Sequence, residues 1–423
     1  MRRRRPSATD RLLHVQAERD PGALLAAASD TSLDVARRAL RRLATLGGEP
    51  ERAALADAVW TCDDALAGDV ATTLRALGDQ DTLDAATAHL RSGPAATRCR
   101  AARVLQRLGD ARARPALHAA LRNHDASVRG AAADALGALG RASTTVAALA
   151  PLVGDRDADV RRRAVRALGR VCEQPGPLVA GAAGDPAVGV RLEAARLAAR
   201  LPQPAVERLL ADHDIEVRRI AAGHAGRGSE ALLAATLAGD PQVPVRFAAA
   251  ERLGELATPP AARALHAAAL DDPDAIVRAK AISGLQDLLG TIKLAAEITH
   301  DLTAPSPHRR AMALRTLARL VVKAEAARTG RPMEAAAHAG TLRLGAAEAE
   351  RLAHDPAREV RQALAEVVYD VAHDPARAAD VLASDPEPTI RHAATLRRPA
   401  PATGSRASAS PPARRAHPAP PRR

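Results

Sequence analysis

Aromatic side chains are almost missing from this sequence: Trp60, Phe247 and Tyr369 are the only three among 423 residues. A large globular core normally depends on aromatic volume, so one thick core is excluded. The apolar residues are mostly Ala, Leu and Val, which suit thin layers of closely packed helices. Ala and Leu are also strong helix formers, and Gly and Pro recur between them as punctuation. Composition by itself points to an all-α chain.

Cysteine is scarce as well. Cys62, Cys99 and Cys172 are far apart, odd in number and without a Cys-x-x-Cys or Cys/His spacing. That argues against a disulfide framework and a zinc site; they read as small buried or half-buried thiols, which a reducing compartment fits. Long apolar runs are absent too. The longest, around 145–153, falls short of the ~18–20 residues a membrane helix requires. Met1 and Arg2 to Arg5 could open a signal peptide, but Asp10, Arg11, Glu18, Arg19 and Asp20 interrupt its apolar segment. A soluble, cytoplasmic protein is expected, with no membrane, metal or cofactor. HExxH, P-loop, GxGxxG-after-strand and GxSxG motifs are all lacking, and no enzymatic activity is expected. The Ala/Arg/Pro-heavy usage suits a GC-rich bacterial genome.

Acidic residues are lacking only at the ends. The net charge is +12, and Arg2 to Arg5 together with seven arginines in 397–423 account for eleven of it. Between the ends the chain is nearly neutral: 24 basic against 20 acidic residues in 6–170, and 26 against 29 in 171–396. Residues 1–8 and 397–423 read as basic disordered ends, the latter built of Pro, Ala, Ser and Arg without apolar periodicity.

What fills the remainder is one unit repeated. Asp125-Ala126-Ser127-Val128-Arg129 is followed by Ala132, Leu136 and Gly137. The same skeleton returns at Asp157 to Arg161 with Ala164, Leu168 and Gly169, and at Asp274 to Arg278 with Ala281 and Leu285. The Val-Arg step, or a degenerate form of it, can be placed twelve times: Val35-Ala36, Val70-Ala71, Thr97-Arg98, Val128-Arg129, Val160-Arg161, Val190-Arg191, Val217-Arg218, Val245-Arg246, Val277-Arg278, Arg309-Arg310, Val360-Arg361 and Ile390-Arg391. From Arg98 to Arg310 the steps are 31, 32, 30, 27, 28, 32 and 32 residues. A period near 30 with helical patterning marks a stacked solenoid.

Each unit reads as two helices joined by an acidic turn, often Asp-Pro as at Asp185, Asp240, Asp272, Asp355 and Asp385. Asp suits an N-cap, and Pro disfavours continuing the helix before it. Val160, Ala164, Val165 and Leu168 give the second helix one apolar face. Gly140, Gly169 and Gly254 are expected as left-handed C-caps.

The Asp, Val-Arg, Ala and Leu-Gly positions resemble the HEAT-repeat family, especially its short bacterial subclass known from phycobilisome lyases. The resemblance covers about residues 30–396. It implies a right-handed α-solenoid of about twelve helical hairpins, spanning 9–396, with second helices lining the concave surface. The step from Arg310 to Arg361 is 51 residues, so an insertion is expected around 323–344, as an extra helix or projecting loop.

Three constellations carry candidate chemistry. The arginines at the step, Arg98, Arg129, Arg161, Arg191, Arg218, Arg246, Arg278, Arg310, Arg361 and Arg391, are expected to form an internal ladder, each bonding an Asp near the turn or carbonyls of a neighbouring unit. Asp125, Asp157, Asp214 and Asp274 lie four residues before their arginines; Asp185, Asp240, Asp355 and Asp385 lie six before. Outside the ladder, Arg37, Arg38, Arg41 and Arg42, and Arg162, Arg163, Arg166 and Arg170, are candidates for a partner-binding basic groove. Five His-Asp pairs (His124, His213, His300, His354 and His373 with the following Asp) resemble those of a metal phosphohydrolase family, but they are spread over the repeat turns and read as helix-end His beside a capping Asp. The functional expectation is a non-enzymatic scaffold that binds a protein along its concave face. Non-specific nucleic-acid association through the basic ends and groove, and a maturation factor of the phycobilisome-lyase type, are the alternatives. Alkylpurine glycosylases of HEAT-like fold use clustered aromatics, which Trp60, Phe247 and Tyr369 cannot supply.

Overall fold

The structure, a computed structural model, describes residues 7–76, 80–328 and 343–396. The chain is an all-α solenoid, and it divides into two compact units, 1–288 and 289–423. The 14 residues 329–342 and the basic ends 1–6 and 397–423 lie outside the described residues. The expected extra helix or loop therefore falls largely there. Residues 323–328 continue the helix Pro307–Arg328, and Leu344 is held by backbone hydrogen bonds, its N–H to Val371 O and its carbonyl from His373 N–H.

In the first unit the second helices are Leu33–Leu46, Asp64–Ala76, Ala95–Leu108, Ala126–Ala138, Ala158–Val171, Val188–Ala195, Ile215–His224 and Val243–Leu256, followed by the start of Ala275–His300. Neighbours in this series pack against each other and form one layer. In the second unit the corresponding helices are Pro307–Arg328, Arg358–Val371 and Pro388–Leu396. Eleven of the twelve steps read from the sequence begin at the third residue of a second helix. The exception is corrected by the structure. In Asp64–Ala76 the third and fourth residues are Leu66 and Ala67, both buried, not Val70 and Ala71. Val70 and Ala71 are buried one turn later on the same face, which is why they mimic the step.

The first helices are shorter and less regular. Gly176–Val179 runs directly into a 3₁₀ turn at Ala180–Gly184, whereas Pro259–Asp271 is a full three-turn helix. Between the layers the core is almost wholly Leu, Val and Ala: Leu105, Val128, Leu136, Val160, Leu168, Val190 and Leu253 are shut off from solvent. Small residues set the spacing. A side-chain carbon at Gly137 would stand 2.9 Å from the Ala167 methyl and 3.0 Å from its Cα, so the helices Ala126–Ala138 and Ala158–Val171 touch at that point.

Helix ends differ from the expectation in one respect. Gly140 follows its helix with a φ of 81°, as a left-handed cap requires. Gly169 and Gly254 lie inside helices, and the left-handed residue after Val243–Leu256 is Ala257. Their value is space: Gly169 faces Leu197, and a side-chain carbon at Gly254 would stand 3.3 Å from Gly284 Cα.

Candidate partner-binding face

The geometry of the second-helix layer starts with its arginines. The Arg of each step is the fourth residue of its helix. Side chains on a helix lean toward its N-terminus, so the guanidinium reaches back to the turn that precedes the helix. Arg129 Nη1 there donates to the carbonyls of Asn123 and His124, each at 2.9 Å. Its other edge, Nε and Nη2, forms a two-pronged bond to Asp155 of the next unit, both at 2.8 Å. Arg161 repeats this with Asp185, Arg191 with Asp212, Arg218 with Asp240, Arg246 with Asp272 and, in the second unit, Arg310 with Asp355. Arg361 Nε reaches Asp385 at 2.6 Å. Arg278 and Arg391 donate to the carbonyls of their own turns.

Each acceptor Asp is oriented by its own turn, taking a hydrogen bond from the N–H two residues later, as Asp155 does from Asp157 at 2.9 Å. Bonding to the guanidinium holds the Asp155 and Asp185 carboxyls below their ordinary value, in each case against a smaller opposing effect of burial. For Asp212 burial is the largest influence and pushes upward, but the bond to Arg191 and the Asp214 N–H together outweigh it.

Two expectations are corrected here. Asp125, Asp157, Asp214 and Asp274 are N-caps: Asp157 accepts from the N–H groups of Asp159 and Val160, and Asp214 from those of Glu216 and Val217. A carboxylate that saturates its own helix terminus is turned away from the arginine four residues on. Conversely, Asp185, Asp240, Asp272, Asp355 and Asp385 of the Asp-Pro turns do not cap; each serves the arginine of the unit before. Among the His-Asp pairs, Asp125, Asp214 and Asp374 cap helices, while Asp355 holds Arg310 and Asp301 accepts from Arg309 at 2.9 Å. Among the described residues no group of three His, Cys, Asp or Glu is placed to hold a metal.

The remaining arginines make a different pattern. Arg162, Arg166 and Arg170 of Ala158–Val171 face Glu193, Arg196 and Arg200, which follow on the next second helix and the turn after it. Together with Gly169 and Leu197 they line a hollow of about 610 Å³. Glu193 sits nearly buried at its base, with Arg196 Nη1 at 3.1 Å and the guanidinium groups of Arg162 and Arg166 at 3.8 and 3.9 Å. Arg163 and Arg166 are held from the other side by Asp134, and Arg162 and Arg163 by Asp159. Arg200 donates to the carbonyls of Gly169 and Cys172 at the end of the preceding helix, and its charge meets no carboxylate among the described residues. Arg170 is exposed and makes no hydrogen bond or ion pair among the described residues. Six guanidinium groups therefore stand against three carboxylates.

Arg37, Arg38, Arg41 and Arg42 lie elsewhere. Arg37 is 4.0 Å from Asp34 and 3.9 Å from Asp69, Arg42 Nε donates to Glu18 O, and Arg38 and Arg41 are exposed. They do not join the hollow. Between the two clusters, Arg100, Arg103 and Arg107 line a smaller hollow of about 240 Å³ with Asp69, and Asp134 breaks any continuous basic stripe.

Residues 83–169 and 202–286 match the family model for HEAT repeats. Those two stretches carry HEAT repeats. No curated protein matches it. Among solved structures it is similar to the CpcE–CpcF complex of phycocyanin lyase from Nostoc sp. PCC7120, at 20% identity over 76% of this chain and 98% of that one, with a TM-score of 0.30. Human deoxyhypusine hydroxylase gives 22% identity over 66% and 98%, with a TM-score of 0.25. The karyopherin Kap121p, solved bound to the SUMO protease Ulp1p, gives 13% over 92% and 45%, with a TM-score of 0.41.

Numbered from the ladder arginine, the fifth and ninth following residues stand four apart, one helical turn, and in Ala95–Leu108, Ala126–Ala138, Ala158–Val171 and Val243–Leu256 they share a side of the helix. The pairs are Arg103 and Arg107, Asp134 and Ala138, Arg166 and Arg170, Arg196 and Arg200, Gly223 and Arg227, then Glu251 and Glu255. Arg196 and Arg200, which the run of arginines at 162–170 does not reveal, are found by carrying this register from one unit to the next. The face thus changes from arginine pairs to a glutamate pair along the stack while the ladder beneath stays constant.

Proposed function

We propose that this chain is a non-enzymatic scaffold that holds a protein partner on the face of its second helices. The observation that carries the reading is the pair of adjacent helices whose arginines, none of them needed for the ladder, converge on one hollow. Ladder arginines spend their donors on their own turn and, in most units, on the aspartate of the next, and are buried or half-buried; Arg170 and Arg196 are exposed at the surface of the layer. A stack of units offers a long surface whose variable residues set specificity while its constant residues set the fold. The change of sign from Arg196 and Arg200 to Glu251 and Glu255 suits a partner whose own charge changes along its length. A nucleic-acid backbone, uniformly negative, favours an unbroken basic track, and Asp134, Glu193, Glu251 and Glu255 interrupt one.

Affinity capture from source cells, followed by cross-link mapping, tests the reading. The expected result is a protein whose cross-links fall on second helices. Cross-links confined to the first helices, or capture only of nucleic acid that nuclease treatment removes, would overturn it.

A further inference from the structure

We infer that the hollow between Ala158–Val171 and Val188–Ala195 is an acceptor for a carboxylate-rich segment of the partner. The inference rests on the reading of this face as a partner-binding surface and names the chemistry of its anchor. The hollow is lined by five arginines and one glutamate. Glu193 is enclosed at the base, its side chain 8% exposed, and draws Arg162, Arg166 and Arg196 around it. The base is thereby neutralised and the rim is left positive: Arg196 is half exposed, and Arg170 and Arg200 carry charges that meet no carboxylate among the described residues.

A guanidinium edge matches a carboxylate in two-pronged geometry. The rim arginines come from two successive units, so one carboxylate cannot satisfy them all, and a hollow of about 610 Å³ accommodates several side chains. An acidic peptide with carboxylates on successive turns fits both the charge and the size. Single-stranded nucleic acid normally adds aromatic platforms on which bases stack, and the lining holds none. The chain's own ends cannot be the occupant, because 1–8 and 397–423 carry arginines and no acidic residue.

The test uses the purified full chain and a short dye-labelled peptide of alternating Glu and Ala, followed by fluorescence anisotropy. The expected result is saturable binding that R170Q/R196Q weakens about tenfold, while R414Q/R415Q, which removes the same charge from the tail, changes it less than about twofold. R170Q alone, at an exposed position without a partner, guards against a folding defect; it should weaken binding with unchanged helical circular dichroism. Equal losses in the hollow and tail variants would reduce the binding to bulk charge and overturn the inference. So would tighter binding of a phosphoserine version of the peptide, or of duplex DNA. A captured native partner that cross-links to the second helices but ignores R170Q/R196Q would sink the hollow and leave the scaffold reading standing; absence of any captured protein would sink the scaffold reading first.

Discussion

Arg191 and Asp212 belong to consecutive units and are bound edge to edge, Nε to Oδ2 at 2.7 Å and Nη2 to Oδ1 at 3.1 Å, with side chains only 6% and 4% exposed. Arg191 Nη1 also holds the carbonyls of Asp185 and Pro186. One side chain therefore closes its own turn and pins the next.

Removing one member of such a pair leaves the other charged and buried. Arg191→Ala is expected to cost about 3–5 kcal/mol, whereas replacing both residues by apolar side chains of similar volume, R191M with D212L, should recover a large part of that. Hydrogen exchange of amides in Val188–Ala195 and Gln203–Leu210 measures it. A single mutant as stable as the parent would show that the pair is not needed.

Asp155 and Asp157, two residues apart, separate the two aspartate roles. Asp155→Ala removes the partner of Arg129 and should cost on the order of 3 kcal/mol. Asp157→Ala removes only a cap and should cost about 1 kcal/mol. Denaturant unfolding of the two variants side by side checks the order; equal losses, or the reverse order, would refute the assignment.

Acid should loosen the stack. The Asp155, Asp185 and Asp212 carboxyls are held below their unfolded value in the folded chain. Groups with depressed folded values bind fewer protons folded than unfolded, so stability rises with pH across that interval. Their contribution is complete above the ordinary aspartate range near pH ~4 and is lost as pH falls through the depressed values. Thermal midpoints should be flat with respect to these groups at neutral pH and fall in acid, less steeply in Asp155→Asn than in the parent. An identical acid profile in that variant would remove Asp155 from the account.

Gly137→Ala sets two effects against each other. Ala gains about 1 kcal/mol of helix propensity over Gly, but its methyl would lie 2.9 Å from Ala167 Cβ. Overpacking costs typically 1–3 kcal/mol, so a net loss is expected. Paired with Ala167→Gly, the substitution should recover only part of that loss, because the 3.0 Å contact with the Cα of residue 167 remains; a stabilised single variant would show that the two helices can separate freely.

The sequence by itself determined the helices, their number per unit and the position of nearly every second helix. These follow from local causes: the apolar spacing of Val160, Ala164 and Leu168, the caps, and the period near 30. It also marked Arg129 and its repeats as one class. What only the tertiary structure decided is which groups meet. The carboxylate four residues before Arg129 is nearer in the chain but belongs to its own helix end, while Asp155, 26 residues later, is brought to the guanidinium by the stacking of the next unit. Gly169 and Gly254 likewise look like helix ends in sequence and prove to be places where a neighbouring helix comes close. The hollow arises in the same way, for Arg170 and Arg200 are 30 residues apart and become neighbours only because one unit repeats the register of the last. Periodicity is written along the chain, but pairing across units depends on the offset between stacked helices, which no single unit contains.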